Sequence, residues 1–217
     1  YDEKNDQVLI NLNTSSEFVI IQRGSSGGAD GDILYRWGNP QTYRAGSRME
    51  QQLFVQHSTH FIKGAPGDGN VLVFNNGRAP DRQWSTVEEL VLPRKSSSPK
   101  EFEPPLKGQP FLPKEPIWSF GPRLGRRGSF FCTHISSTQR LPNGNTLVVQ
   151  GPQGIIFEVT SDGDEVWRYI NPVSNDASVH SVTRQGDTRV GGRFSLFLSH
   201  KYVPEHPGLA GKTLSPG

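Results

Sequence analysis

Two histidines share one short polar stretch, Gln56-His57-Ser58-Thr59-His60, which precedes Val71-Leu72-Val73-Phe74-Asn75-Asn76-Gly77-Arg78. A neutral imidazole nitrogen is a competent nucleophile near neutral pH. Amide and guanidinium donors such as Asn75, Asn76 and Arg78 suit the stabilisation of a charged group in transfer. The alternative for His57 is a hydrogen-bonded structural role. His57 and His60 are three positions apart, which on a regular strand puts them on opposite faces, so they do not share a metal without a bulge. His134 precedes a strand start, where it either faces a channel or serves the structure; His180, His200 and His206 read as surface or edge residues. The lone Cys132 excludes an intrachain disulfide and any cysteine-rich metal framework, and no metal or cofactor is expected. Asp162-Gly163-Asp164 lacks the further spaced oxygens of a calcium loop and reads as a hairpin turn.

The elements that must position these residues are short β-type runs cut by turns. Segment 133–172 divides into four strands: 135–141, the turn Pro142-Asn143-Gly144, then 145–150, 155–160 and 165–170. Four strands in about 40 residues, closed by a Trp on the last, match one β-propeller blade. The blade ending recurs in Tyr35-Arg36-Trp37-Gly38-Asn39-Pro40, Ile117-Trp118-Ser119-Phe120-Gly121-Pro122 and Val166-Trp167-Arg168-Tyr169-Ile170-Asn171-Pro172. The opening recurs too, in Ser58-Thr59-His60 before Gly69-Asn70-Val71 and in Ser137-Thr138-Gln139 before Gly144-Asn145-Thr146; on this repeat His60 parallels Gln139 as a packing or channel-rim group.

The fold expected is therefore all-β: a β-propeller segment of about three to four four-stranded antiparallel blades, part of a larger ring. The blades fall at 1–40, 53–122 with an insertion over 94–116, 133–172 and, in part, 178–203. The Pro-, Lys- and Ser-rich insertion should lie on the surface, and Val87-Glu88-Glu89-Leu90 fits an outer strand at least as well as a helical turn. Trp37, Trp118 and Trp167 are assigned to packing between blades rather than to sugar stacking, with Trp167 buried; Trp84 lies off the repeat. Asn13-Thr14-Ser15 is a chance-level glycosylation sequon in a strand.

Composition narrows the classes further. The 217 residues include 24 Gly and 17 Pro, with 23 Lys+Arg against 21 Asp+Glu, a balance that does not imply nucleic acid as partner. The basic runs Arg94-Lys95 and Arg123-Leu124-Gly125-Arg126-Arg127 read as solvated loops. No stretch approaches the roughly 18 apolar residues of a membrane span.

The sequence resembles the aryl-sulfate sulfotransferase family over nearly its whole length. The resemblance is carried by Gly31-Asp32-Ile33-Leu34-Tyr35-Arg36-Trp37-Gly38-Asn39-Pro40, by Gln56-His57-Ser58-Thr59-His60 with Asn75-Asn76-Gly77-Arg78, and by Gln139-Arg140-Leu141-Pro142-Asn143-Gly144-Asn145. It implies a six-bladed ring that moves a sulfuryl group between phenols through a transiently sulfated histidine, with no nucleotide donor. By that resemblance His57 is the catalytic residue, and His60, Asn75, Asn76, Arg78, His134 and Arg140 are the candidate substrate-binding set for a phenolic sulfate. It also implies a His-x-Asn segment upstream of Tyr1 and an Arg on the following strand, where this chain carries Asn13. That substitution opens a second reading, a non-catalytic propeller that serves as a binding or assembly module.

The chain opens at Tyr1 without Met or a signal-peptide pattern, and Tyr202-Val203-Pro204-Glu205-His206-Pro207-Gly208-Leu209 resembles the family's closing segment. The expectation is a processed, secreted or periplasmic chain completed by a second polypeptide. That partner is the N-terminal half of the same precursor or, failing that, a second copy in a homodimer.

Overall fold

A computed structural model describes residues 1–24, 31–122, 129–176, 181–184, 187–189 and 193–213. The chain is all-β, with three successive antiparallel sheets and a small hairpin. The first sheet is β1 (Gln7–Leu12), β2 (Glu17–Gln22) and β3 (Ile33–Trp37) in that order. The second takes β4 (His57–Phe61), β5 (Val71–Asn75), β6 (Thr86–Leu90) and β9 (Trp118–Phe120). Between β6 and β9 the chain leaves to form the hairpin β7 (Arg94–Lys95) and β8 (Ser98–Phe102). The third sheet is β10 (Ser137–Arg140), β11 (Thr146–Gln150), β12 (Ile155–Val159) and β13 (Glu165–Ile170).

Alternation along the strands explains why these sheets stack. On β5, Val71 and Val73 point into a core shared with Phe18, Ile20, Tyr35 and Trp37 of the first sheet. Leu72 and Phe74, on the opposite face, join Val148, Phe157 and Val159 of the third. All four apolar side chains of β5 have zero exposure, so the second sheet is covered on both sides. Among the first strands of the sheets, β4 approaches both β1 and β10. Face-to-face antiparallel sheets whose first strands converge form a propeller-like segment. Turn chemistry fixes the third sheet: Gly144 and Gly163 hold φ of +90° and +85° at two of its three hairpin tips. Thr160 N–H donates to Asp164 O at 2.9 Å across Asp162-Gly163, so this segment is a hairpin turn.

Several expectations are corrected. Val87-Glu88-Glu89-Leu90 is the third of four strands, with Glu88 and Glu89 both buried, because each carboxylate has side-chain donors: Asn75 for Glu88, Asn70 and Arg140 for Glu89. Asn13 lies in the turn after β1, its Nδ2 donating to Val55 O and Gln56 O at 2.8 and 2.9 Å, which removes it from a strand and ties up the sequon amide. Trp167 is 47% exposed rather than buried, and lies parallel to Tyr169. The three repeat tryptophans give the reason. Trp37 is covered from the second sheet's insertion, where Pro113 O accepts its Nε1–H at 2.8 Å. Trp118 is covered by Arg140 of the third sheet, at 4.9 Å. No later sheet among the described residues lies over Trp167. Within 178–203 the described residues hold no strand, only a bridge from Val182 back to Val173. His180 and the Arg123–Arg127 run lie outside the described residues. No helix among the described residues is long and apolar enough to cross a membrane.

The insertion 94–116 lies at the periphery, yet it clamps the first sheet. Gln7 Nε2 donates to Lys100 O at 2.6 Å and Tyr35 OH to Leu112 O at 2.5 Å. Phe102, 7% exposed, sits 4.9 Å from the Tyr35 ring and under the Arg94 guanidinium. We predict that Phe102→Ala lowers stability by about 3 kcal/mol in denaturant unfolding and opens 94–116 to limited proteolysis. A loss within about 0.5 kcal/mol, the range of an ordinary surface change, would mean that the insertion is a free loop.

Candidate functional site

His57 opens β4, and the chain around it is bent into shape. Val55 and Ser58 hold left-handed φ of +48° and +53°, rare for any non-glycine residue and an outlier for a β-branched one. The surroundings enforce these angles: Val55 N–H donates to Ser16 Oγ at 3.1 Å, and Val55 O accepts from Asn13. Gln56 between them is fully buried, its Nε2 donating to Asn11 Oδ1 at 2.7 Å and to Glu17 O at 2.8 Å. Strain of this kind persists where neighbouring bonds over-determine the backbone.

The bend has a consequence for the two histidines. His57 pairs with Phe74 and His60 with Leu72, so three steps on β4 match two on β5 across a β-bulge. Phe74 and Leu72 share one face of β5, and the bulge therefore brings His57 and His60 to the side of the sheet facing the third one. Opposite faces, as regular spacing implied, do not occur. Even so, among the described residues no group of three or more His, Cys, Asp or Glu is arranged to hold a metal ion.

The hydrogen bonds of His57 define its tautomer. Asn76 Nδ2 donates to Cys132 O at 3.0 Å and to Ile135 O at 2.8 Å. Its amide orientation is thereby fixed, and Asn76 Oδ1 lies 2.8 Å from His57 Nδ1. An amide oxygen only accepts, so Nδ1 carries the proton. Asn13 Nδ2, at 3.5 Å from the same nitrogen, is already committed to two carbonyls and contributes proximity rather than a bond. Nε2 is left with its lone pair and no hydrogen-bond partner among the described residues. The Phe197 ring stands edge-on to the imidazole at 6.4 Å. Such an imidazole can attack an electrophile or accept a proton through Nε2.

The other sequence candidates separate into distinct places. Asn75 is entirely structural: Oδ1 accepts Phe54 N–H at 2.9 Å, and Nδ2 donates to Gln52 O and Glu88 Oε1. Arg78 is exposed, and no hydrogen bond or ion pair joins it to His57. Arg140 bridges sheets, paired with Glu89 Oε2 at 2.8 Å and stacked on Trp118. His134 is exposed against Thr133 Oγ1 at 2.9 Å and borders a separate groove with Gln153 and Arg189. His60 donates Nδ1–H to Ser58 O at 2.7 Å and faces its own cleft. Its imidazole is shifted to a lower pKa, chiefly by burial and, further, by the nearby His200, against the Ser58 bond. Cys132 is buried, which pushes its thiol up to about 11, so it is no nucleophile at neutral pH.

Sequence reasoning thus found His57 and its orienting Asn76 but missed Asn11, Gln56 and Phe197 as the frame. Gln56 stood within the motif, whereas Phe197 lies far along the chain with no local signal. Asn13 lies beside His57, its Nδ2 3.5 Å from the ring's Nδ1.

No protein-family model matches the chain, and no curated protein matches it. Among solved structures, the chain is similar to a protein of unknown function from Bacteroides caccae, at 15% identity and a TM-score of 0.42. The match covers 77% of this chain and 43% of that one, so the chain spans less than half the length of that protein.

Proposed function

We propose that the chain is an arylsulfotransferase-like protein in which His57 takes a sulfuryl group from one phenol and passes it to another. The observation that carries this reading is the fixed amide of Asn76, which holds the proton on His57 Nδ1 and leaves Nε2 as a nucleophile. In the first half-reaction Nε2 attacks sulfur, an N–S bond forms, and the S–O bond to the aryl group breaks. The leaving phenolate takes a proton from solvent. In the second half a phenol oxygen attacks the same sulfur and loses its proton to solvent; the new O–S bond forms as the N–S bond breaks, and its electron pair returns to Nε2. A backing amide rather than a carboxylate orients the ring without adding a negative charge beside an anionic donor.

A second reading, a non-catalytic binding or assembly module, is favoured by a different observation. A transferring sulfuryl group needs fixed positive charge, yet the polar neighbours of His57 are the neutral Asn76 and Asn13. The two readings differ in one experiment. With 4-nitrophenyl sulfate as donor and phenol as acceptor, the transferase reading predicts ping-pong exchange and a chain trapped with a sulfuryl group. His57→Ala should lose on the order of 10³-fold in rate, while Asn76→Ala lowers kcat with KM nearly unchanged. Undiminished transfer in His57→Ala removes His57 from the nucleophile role, and no transfer in the complete assembly favours the module.

For both readings we propose a second polypeptide that extends the stack. Val166, Trp167, Tyr169 and Ile170 on the last strand of the third sheet, and Ile10, Leu12 and Ile33 on the first, are all at least 36% exposed. Apolar side chains concentrated on the two end sheets are the surfaces that a further blade would cover. Native mass measurement should find this chain joined to another, either the N-terminal half of its precursor or a second copy; a well-folded monomer of 24.0 kDa would contradict this.

A further inference from the structure

Between the inner strands β4 and β10 lies a cleft of about 360 Å³ that does not include His57. His60, Lys63, Gln139, Arg140 and His200 border it, and none of its lining residues is acidic. The hydroxyl and amide groups there are largely spoken for. Thr59 Oγ1 donates to Asn11, and Gln139 binds the backbone of Lys201 through both its oxygen and its nitrogen. Two nitrogens are not. The bond from His60 Nδ1 to Ser58 O leaves Nε2 without a partner among the described residues. Arg140 Nε is buried with no acceptor, although the Arg140 side chain is only 9% exposed and its terminal nitrogen is paired with Glu89. His60 Nε2 borders the cleft and becomes a donor when the ring is protonated, which suits an acceptor-bearing ligand.

The charges around the cleft set the sign of that ligand. Arg140 is neutralised by Glu89, whose other oxygen accepts from Asn70. Lys63 lies 3.8 Å from the exposed Glu3. Lys201 is held by Glu158 at 2.5 Å on the far side of β10. The Tyr1 amino group adds a weak positive field at His60. These fixed charges nearly cancel, so a proton gained by His60 would make the cleft electropositive.

We propose that this cleft binds a tetrahedral oxyanion, a phosphate or sulfate group, between the imidazoles of His60 and His200, which both border it. The site does not depend on sulfuryl transfer at His57. Binding draws a proton onto His60, so affinity rises as pH falls. The same group sets a stability signature. Folding lowers the pKa of His60 below its usual 6.5, so below that pH the unfolded chain binds more protons and the free protein loses stability. A bound oxyanion reverses this loss.

Titration calorimetry of the full chain with inorganic phosphate and with inorganic sulfate tests the proposal, at about pH 8 and about pH 6, across the histidine range. Tighter binding at the lower pH by about tenfold, with uptake of roughly one proton, is expected. His60→Gln should weaken it by about tenfold or more. His200→Gln, at an exposed position, weakens it too and keeps the test intact if the first variant fails to fold. His57→Ala should bind as the parent does, whether or not transfer activity exists. Whichever anion binds tighter names the source of the group. Binding of neither anion at tens of millimolar, or binding that ignores pH and both His60→Gln and His200→Gln, would overturn the proposal. So would a melting temperature of the free protein that does not fall below about pH 6.5.

Discussion

A strand with apolar side chains on both faces has no solvated side, and β5 is such a strand. Its Val-Leu-Val-Phe run sends alternate residues into two separate cores, and each fully buried side chain contributes about 1.5–3 kcal/mol. The second sheet can meet this demand only if another sheet lies against each face. The order of the three sheets, the approach of β4 to both β1 and β10, and the positions of the inter-sheet polar residues all follow from it. Glu89 shows the consequence for charge: it is tolerated within the stack because Arg140 reaches it from the next sheet and Asn70 from the preceding turn.

The adjacent residues Asn75 and Asn76 convert that stacking into a site. They leave β5 in opposite directions, as alternation requires. Asn75 ties the 52–54 segment to the second sheet with two hydrogen bonds and donates a third to Glu88 within that sheet. Asn76 reaches across to Cys132 O and Ile135 O at the entrance to the third sheet and accepts from His57 with its remaining atom. Each bond contributes roughly 1 kcal/mol net, but leaving any of these buried groups unpaired costs more than that. The orientation of His57 is therefore a by-product of bonds that also join two sheets. The left-handed angles of Val55 and Ser58 belong to the same arrangement, since they turn the chain so that the imidazole meets Asn76.

Local chemistry was legible in the sequence and packing was not. The four strands of the third sheet were readable to within two residues because Asn143-Gly144 and Asp162-Gly163 each specify a hairpin by themselves. The bulge in β4 was not readable. It arises from long-range bonds of Ser16 and Asn13 to Val55, and a strict period of two sent His60 to the wrong face. The repeat correctly marked three tryptophans as equivalent, but their burial depends on what lies over each, and Trp167 has no following sheet among the described residues. Arg140 and Asn75 carried donor chemistry suited to a substrate; burial and the carboxylates Glu89 and Glu88 claim both for structure. A residue's type announces what it can bond, and only the packed neighbours decide what it does bond.

The central claim is that Asn76 keeps the proton of neutral His57 on Nδ1 and leaves Nε2 bare. Two-bond proton–nitrogen correlation spectra of protein labelled with nitrogen-15 in its histidines measure this directly, at about pH 9, above the ordinary imidazole range. The account predicts a protonated, pyrrole-type shift for Nδ1 and an unprotonated, pyridine-type shift for Nε2, with the preference lost in Asn76→Ala. A proton on Nε2 in the parent protein would contradict it.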